Sequence, residues 1–172
     1  DGAGLVQVAY GSNAIAQATL DTAYFDEHPA YQFDEYIYGG NYFRKIPITY
    51  WWRGNLPSVS DGTTPRWTML MSTKPGTVPI HGVECEFKAS SGAFKRNGEW
   101  MDQFYFGTYR AHNDGGVPGS VAGQTHWGSV SFDAFKAAAE GMGNGHHMIS
   151  LFEWHEILAR MVVEKATFQL FP

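Results

Sequence analysis

Two short stretches decide how this chain is read: Gly128-Ser-Val-Ser-Phe-Asp-Ala-Phe-Lys136 and His147-Met-Ile-Ser-Leu-Phe-Glu-Trp-His155. Each holds a serine placed to open a helix, and glycines from Gly141 to Gly145 punctuate the gap between them. Ser131 can accept a hydrogen bond from an N–H group left unpaired at a helix start. Phe132, Phe135 and Ala139 follow at helical spacing, Asp133, Lys136 and Glu140 take the other side, and Gly141 is the expected stop. Ser150 with Glu153 is a capping box, in which each side chain satisfies an orphan N–H near the other. In that second helix Leu151, Trp154, Leu158 and Met161 form the expected buried stripe. Glu153, Glu156, Arg160 and Glu164 form the expected wet face, with Glu156 and Arg160 spaced for a weak ion pair. The pattern predicts helices over about 131–140 and 150–164.

Before these helices the chain reads as strands and turns. Val83-Glu-Cys-Glu-Phe-Lys88 alternates strictly, which predicts a strand with Val83, Cys85 and Phe87 inward. Leu5 to Tyr10, Ile46 to Trp52, Trp67 to Ser72 and Trp100 to Tyr109 also read as strands. A Ser-, Gly-, Thr- and Pro-rich loop is expected over 54–65, and a turn over 92–98. Ala14 to Phe25 suits helix and strand equally. Tyr31 to Tyr42, dense in tyrosine and broken by Gly39-Gly40, predicts an extended surface arm or a loop held by aromatic packing.

Composition narrows the function classes. At 172 residues the chain is long enough to bury a core, and 16% aromatics with 20 glycines suit strands joined by irregular loops. Twelve basic against 17 acidic residues give a net charge of -5 without a basic cluster, which argues against nucleic acid as a partner. The single cysteine, Cys85, permits no internal disulfide. No apolar run reaches membrane-spanning length, so no membrane insertion is expected. The chain opens at Asp1 without a signal-peptide pattern, which reads as processed, trimmed or part of something longer.

Several residues invite chemistry. His146, His147 and His155 lie near Glu153 and Glu156, yet the two-histidine spacing of a zinc helix is missing, and solvated surface is the stronger reading. Cys85 reads as a small buried hydrophobe rather than a nucleophile. Asp26, Glu27 and His28, or Asp34 and Glu35, have no cleft to span as an acid/base pair. The glycines from Gly115 to Gly119 lack the lysine and the strand-to-helix setting of a phosphate loop. Trp51 and Trp52, with Trp67, Trp100 and Trp127, are the candidates for a sugar-stacking platform, although tryptophans in such a domain are more often core.

The aromatic strand Gln103-Phe-Tyr-Phe-Gly-Thr-Tyr109, a Gly/Pro loop, Val130-Ser-Phe-Asp-Ala134, Ile149-Ser-Leu-Phe-Glu-Trp154 and the closing Glu164, Thr167 and Gln169 follow one another in a telling order. This order resembles the C-type-lectin-like fold of the formylglycine-generating-enzyme group, in the form found in bacteriophage tail and host-range proteins, over roughly residues 79–170. The resemblance implies an α+β, C-type-lectin-like mixed domain over 46–172, with antiparallel strands and two late amphipathic helices. An aromatic-rich extended arm or subunit-contact region would occupy 1–45. The enzymes of this superfamily use copper and a cysteine pair downstream of the matched region. With only Cys85, this chain is expected to have no catalytic residues, metal ligands or cofactor. Lectin-like relatives bind ligands mainly after the second helix, so no binding residue carries over; a chain ending at Pro172 is expected to be a fragment or a shortened structural form.

The expected function is therefore a non-enzymatic bacteriophage virion protein, a tail, baseplate or capsid-surface component acting in particle assembly and host-receptor attachment. Its expected partners are copies of itself, other virion proteins and a bacterial surface receptor or glycan. Ser131, Ser150, Glu153 and Trp154 serve this reading as helix anchors. The alternative is a carbohydrate-binding or sugar-processing domain using Trp51 and Trp52.

Overall fold

The computed structural model describes residues 6–9, 29–31, 33–57 and 63–165. The segment 14–25, open between helix and strand, lies outside them, as do Asp26, Glu27 and His28. The described chain is α+β, with mostly antiparallel strands and a few helices.

A five-stranded antiparallel sheet holds β1 (Val6–Ala9), β4 (Tyr50–Pro57), β5 (Pro65–Ser72), β6 (Gly76–Ile80) and β7 (Val83–Ala89), in the order β1-β5-β4-β7-β6. Its longest ladder pairs β4 with β5, from Tyr50 opposite Ser72 to Pro57 opposite Pro65. Successive strand residues face opposite sides. Trp51 beside Met71 therefore joins Ala30 and Met69 in one cluster, while Trp52 beside Leu70 packs with Leu56, Cys85 and Phe87 in another. In β7 the expected alternation holds, with Cys85 and Phe87 buried and Glu84, Glu86 and Lys88 exposed.

A second, three-stranded antiparallel sheet has the order β10-β3-β2, from β2 (Glu35–Tyr38), β3 (Asn41–Pro47) and β10 (Gln103–Gly107). The expected arm over Tyr31 to Tyr42 is a β-hairpin, and the expected boundary between residues 45 and 46 falls inside β3. Gly39 and Gly40 both take positive φ (56° and 78°), as the tight hairpin turn between twisted strands requires. The strand expected over 46–52 is two strands. Ile48 and Thr49 interrupt it, and the chain passes there from one sheet to the other.

The turn expected over 92–98 contains the single-turn helix α1 (Ser91–Phe94) and the start of a small hairpin, β8 (Lys95–Arg96) with β9 (Glu99–Trp100). Another hairpin, β11 (His112–Asp114) with β12 (Val117–Gly119), follows β10.

Both late helices form. In α2 (Phe132–Gly141) the Ser131 hydroxyl accepts from the Ala134 N–H at 3.2 Å. Ala139 is buried as expected, but Phe132 stands on the surface, and the left-handed residue that ends the turn is Gly143 rather than Gly141. In α3 (Leu151–Lys165) the capping box is complete, with the Ser150 N–H donating to Glu153 at 2.7 Å and the Glu153 N–H to the Ser150 hydroxyl at 3.2 Å. The buried face of α3 is the reverse of the expected one. Leu151 is 63% exposed, whereas Glu153, Glu156 and Arg160 are 2%, 3% and 1% exposed. Trp154, Leu158 and Met161 are half-buried.

The physical reason lies in the sheets. Glu156 Oε2 accepts from the Trp51 indole N–H at 2.9 Å and the Thr49 hydroxyl at 3.2 Å, and pairs with Arg160 at 3.1 Å. Arg160 also donates to the Pro47 carbonyl and to Thr49 Oγ1, at the passage from β3 to β4. The carbonyl of Arg160 accepts from the Tyr31 hydroxyl at 3.0 Å. Taking such a pair out of water offsets most of its attraction. Fully burying a valine-sized side chain contributes about 1.5–3 kcal/mol and a single methyl group about 0.8 kcal/mol, so the favourable docking energy comes from Val162, Ala159 and the half-buried Ile157, which join the clusters under the two sheets. The ion pair sets which face is docked.

Candidate functional site: an aromatic cleft

The β2-β3 hairpin and β10 present their tyrosines together. Tyr36 lies opposite Phe43 and Tyr105 opposite Lys45, and the two-residue strand period brings Tyr36, Tyr38, Phe43 and Tyr105 to one face of the sheet. The Tyr36 and Tyr105 rings sit 4.8 Å apart, and those of Tyr36 and Tyr38 are 6.4 Å apart and nearly parallel at 8°. All three tyrosines are exposed. Two neutral amides anchor their tips, with Gln103 Nε2 donating to the Tyr105 hydroxyl at 2.6 Å and Asn144 Nδ2 to the Tyr38 hydroxyl at 3.3 Å.

The opposite wall comes from the segment between α2 and α3. Gly143, Asn144 and Gly145 have φ values of 69°, 51° and 78°, a left-handed run that glycine and asparagine adopt at least cost. The turn lays the His146 ring 6.2 Å from Tyr38 and 6.1 Å from Phe43. A third side is fixed by Ser120, whose hydroxyl accepts from the Tyr109 N–H at 3.0 Å and whose carbonyl accepts from the Tyr42 N–H at 2.8 Å. The half-open cleft measures about 990 Å³, at the upper end for small-molecule sites.

At one end stands a charged clasp. Glu153 accepts from Arg96 and from His147 Nε2 at 2.9 Å, while His147 Nδ1 lies 2.6 Å from the Gly145 carbonyl. With both ring nitrogens facing acceptors, the arrangement suits an imidazolium. Its pKa is raised, chiefly by the hydrogen bond to Glu153, against the opposing effect of burial. Burial alone would push the Glu153 carboxyl up, but the hydrogen bonds from His147 and Ser150 prevail and hold it at about 2. Near neutral pH Glu153 is a fixed anion whose partners are inside the protein, the opposite of a poised general acid.

The residues singled out from sequence are dispersed. Trp51 is 8% exposed with its N–H committed to Glu156; Trp52 faces the other side of the sheet against the Leu56, Leu70, Cys85 and Phe87 cluster. Two neighbours on opposite faces make no common platform. Trp67 and Trp100 are exposed, and Trp127 packs against Phe135 at 5.5 Å. Cys85 is fully buried, and burial raises its thiol pKa. Asp34 pairs with Lys45 and Glu35 with Arg44, so neither is part of a carboxylate pair. Of the expected helix anchors, Ser131 and Ser150 cap their helices, Glu153 joins the clasp, and Trp154 meets Phe106 at 6.4 Å. His155 is exposed as expected; Glu156 is not.

The tyrosine cleft is not apparent from sequence alone, because residues 31–42 read as an extended arm. The signal that could have found it is Tyr36-x-Tyr38 before Gly39-Gly40, which is a hairpin strand with two rings on one face. Among the described residues no helix is long and apolar enough to cross a membrane, and no three His, Cys, Asp or Glu side chains gather as a metal site. No family model, curated protein or solved structure matches the chain.

Proposed function

We propose that this chain is a non-enzymatic recognition protein of a bacteriophage virion, acting in particle assembly and host attachment through its tyrosine cleft. The observation that carries the recognition role is the set of exposed tyrosines on one sheet face beside the cleft, Tyr36, Tyr38 and Tyr105, of which Tyr38 and Tyr105 accept amide hydrogen bonds at their hydroxyls. Large amphipathic rings contribute much of the energy at recognition surfaces and lose little side-chain entropy on binding. The virion setting and the lectin-like scaffold rest on the sequence resemblance over roughly residues 79–170. The non-enzymatic part is supported by Glu153, the cleft's carboxylate, which is tied up in ion pairs and held at about 2. Assembly with copies of itself or other virion proteins is supported by Phe132, Leu151 and Phe152, large apolar side chains exposed at the two helix starts.

Proteomics of purified particles tests the setting: the chain should be present in stoichiometric amounts, and its absence from the particles would remove the virion reading. The tryptophan-based alternative is not favoured by any geometry around Trp51 and Trp52.

A further inference from the structure

Resting on the reading of the cleft as a recognition surface, we infer that its ligand is an acidic oligosaccharide. Three observations converge on this class. The first is charge. The protein as a whole is acidic, with 17 carboxylate side chains against 12 basic ones, yet the cleft is lined by two arginines and two histidines and by a single carboxylate. That carboxylate, Glu153, is already paired with Arg96 and His147. The Arg110 guanidinium, exposed on the cleft wall, makes no hydrogen bond or ion pair with any described residue. A free guanidinium in an acidic protein is the natural counterpart of a ligand carboxylate or sulfate, which it can hold with two parallel N–H bonds.

The second observation is the floor. Tyr36, Tyr38 and Tyr105 are each more than 40% exposed on one sheet face, beside a half-open cleft rather than a closed apolar pocket. A pyranose has an apolar C–H face that lies flat on a ring and a rim of hydroxyls that needs partners close by. The third is the rim itself. The Tyr105 hydroxyl with Gln103, and the Tyr38 hydroxyl with Asn144, are neutral donor and acceptor pairs beside the rings, each with hydrogen-bonding capacity left over. A peptide anchored by apolar side chains would call for deeper apolar pockets and would leave these amides unused.

The test uses the full chain on an array carrying uronate-containing, sialylated, sulfated and neutral oligosaccharides, with acidic peptides printed alongside. Arg110→Gln and Tyr105→Ala are surface changes, and an unaltered melting curve shows that each variant is folded. The wild type should retain acidic oligosaccharides. Arg110→Gln should weaken them about tenfold while leaving their neutral methyl esters unaffected, and Tyr105→Ala should weaken both forms about tenfold or more. Equal retention of acidic and neutral sugars, unchanged binding by either variant, or retention of no sugar at all overturns the inference. Retention of acidic peptides alone, lost on Tyr105→Ala, overturns the sugar as ligand while leaving the cleft as a recognition surface. Failure of the recognition reading itself shows instead as the absence of any partner contacting Tyr105 in assembled particles.

Discussion

Arg160 keeps its charge where burial works against it, because Glu156, Thr49 and the Pro47 carbonyl surround it. Burial lowers its pKa and the carboxylate of Glu156 raises it again, which leaves a pair that is costly to break and of little net value when whole. Arg160→Met should therefore cost about 3–5 kcal/mol by leaving Glu156 buried without its cation, while Glu156→Leu combined with Arg160→Met should cost less than the sum of the single changes. Urea unfolding of the three variants reads this directly; strict additivity would contradict the coupling. The His147 clasp makes a second prediction. Its raised pKa means that its contribution is complete below the ordinary value of 6.5 and is lost as pH rises through the folded value. Glu153, lowered from 4.5 to about 2, contributes above 4.5 and loses this as pH falls toward 2. The stability gap between wild type and His147→Gln should thus be widest between those ordinary values and close on the alkaline side. The gap should not exceed about 1 kcal/mol, because the imidazole is 38% exposed. Chemical denaturation at about pH 5.5 and about pH 9 measures it, and a gap that widens with pH would refute the clasp.

Among the elements, local signals were legible and distant ones were not. The caps at Ser131 and Ser150 depend on residues three positions away, and the alternation of β7 is visible within its own residues. The docked face of α3 depends on Trp51 and Thr49, more than a hundred residues away in the chain, so its 3.6-residue pattern could not reveal that Glu156 and Arg160 turn inward. The break at Ile48-Thr49 was equally hidden, since both are β-branched residues that suit an unbroken strand. The β2-β3 hairpin was hidden because β2 is exposed along its whole length and so lacks the alternation of a half-buried strand. Its turn carries the third prediction. A side chain at Gly40 meets no atom, but the backbone there has φ +78°. Gly40→Val should therefore lower stability by about 1–2 kcal/mol, whereas Gly39→Asn should be tolerated, because asparagine accepts left-handed backbone. Thermal melts of both variants would show it, and equal losses would contradict a backbone cost that asparagine avoids.

For the whole molecule, two sheets, the helix docked between their clusters and the looped segment before that helix bring five aromatic side chains, Tyr36, Tyr38, Phe43, Tyr105 and His146, to one cleft. In the proposed recognition role, rings fixed before a ligand arrives would spare the ordering cost that weakens flexible sites. The scaffold itself was partly readable as α+β; the cleft was not, because its rings come from strands about 70 residues apart in the chain and meet only through the β3-β10 ladder. The most direct measurement of the proposed role places a photo-crosslinking phenylalanine analogue at Tyr105, and as a control at exposed Glu84 on β7, in the phage particles that the proposal calls for, mixed with their host cells. Irradiation should give a covalent adduct to a partner or receptor component at Tyr105 and little at Glu84. Equal yields at the two positions, or none at Tyr105, would contradict the cleft as the recognition surface.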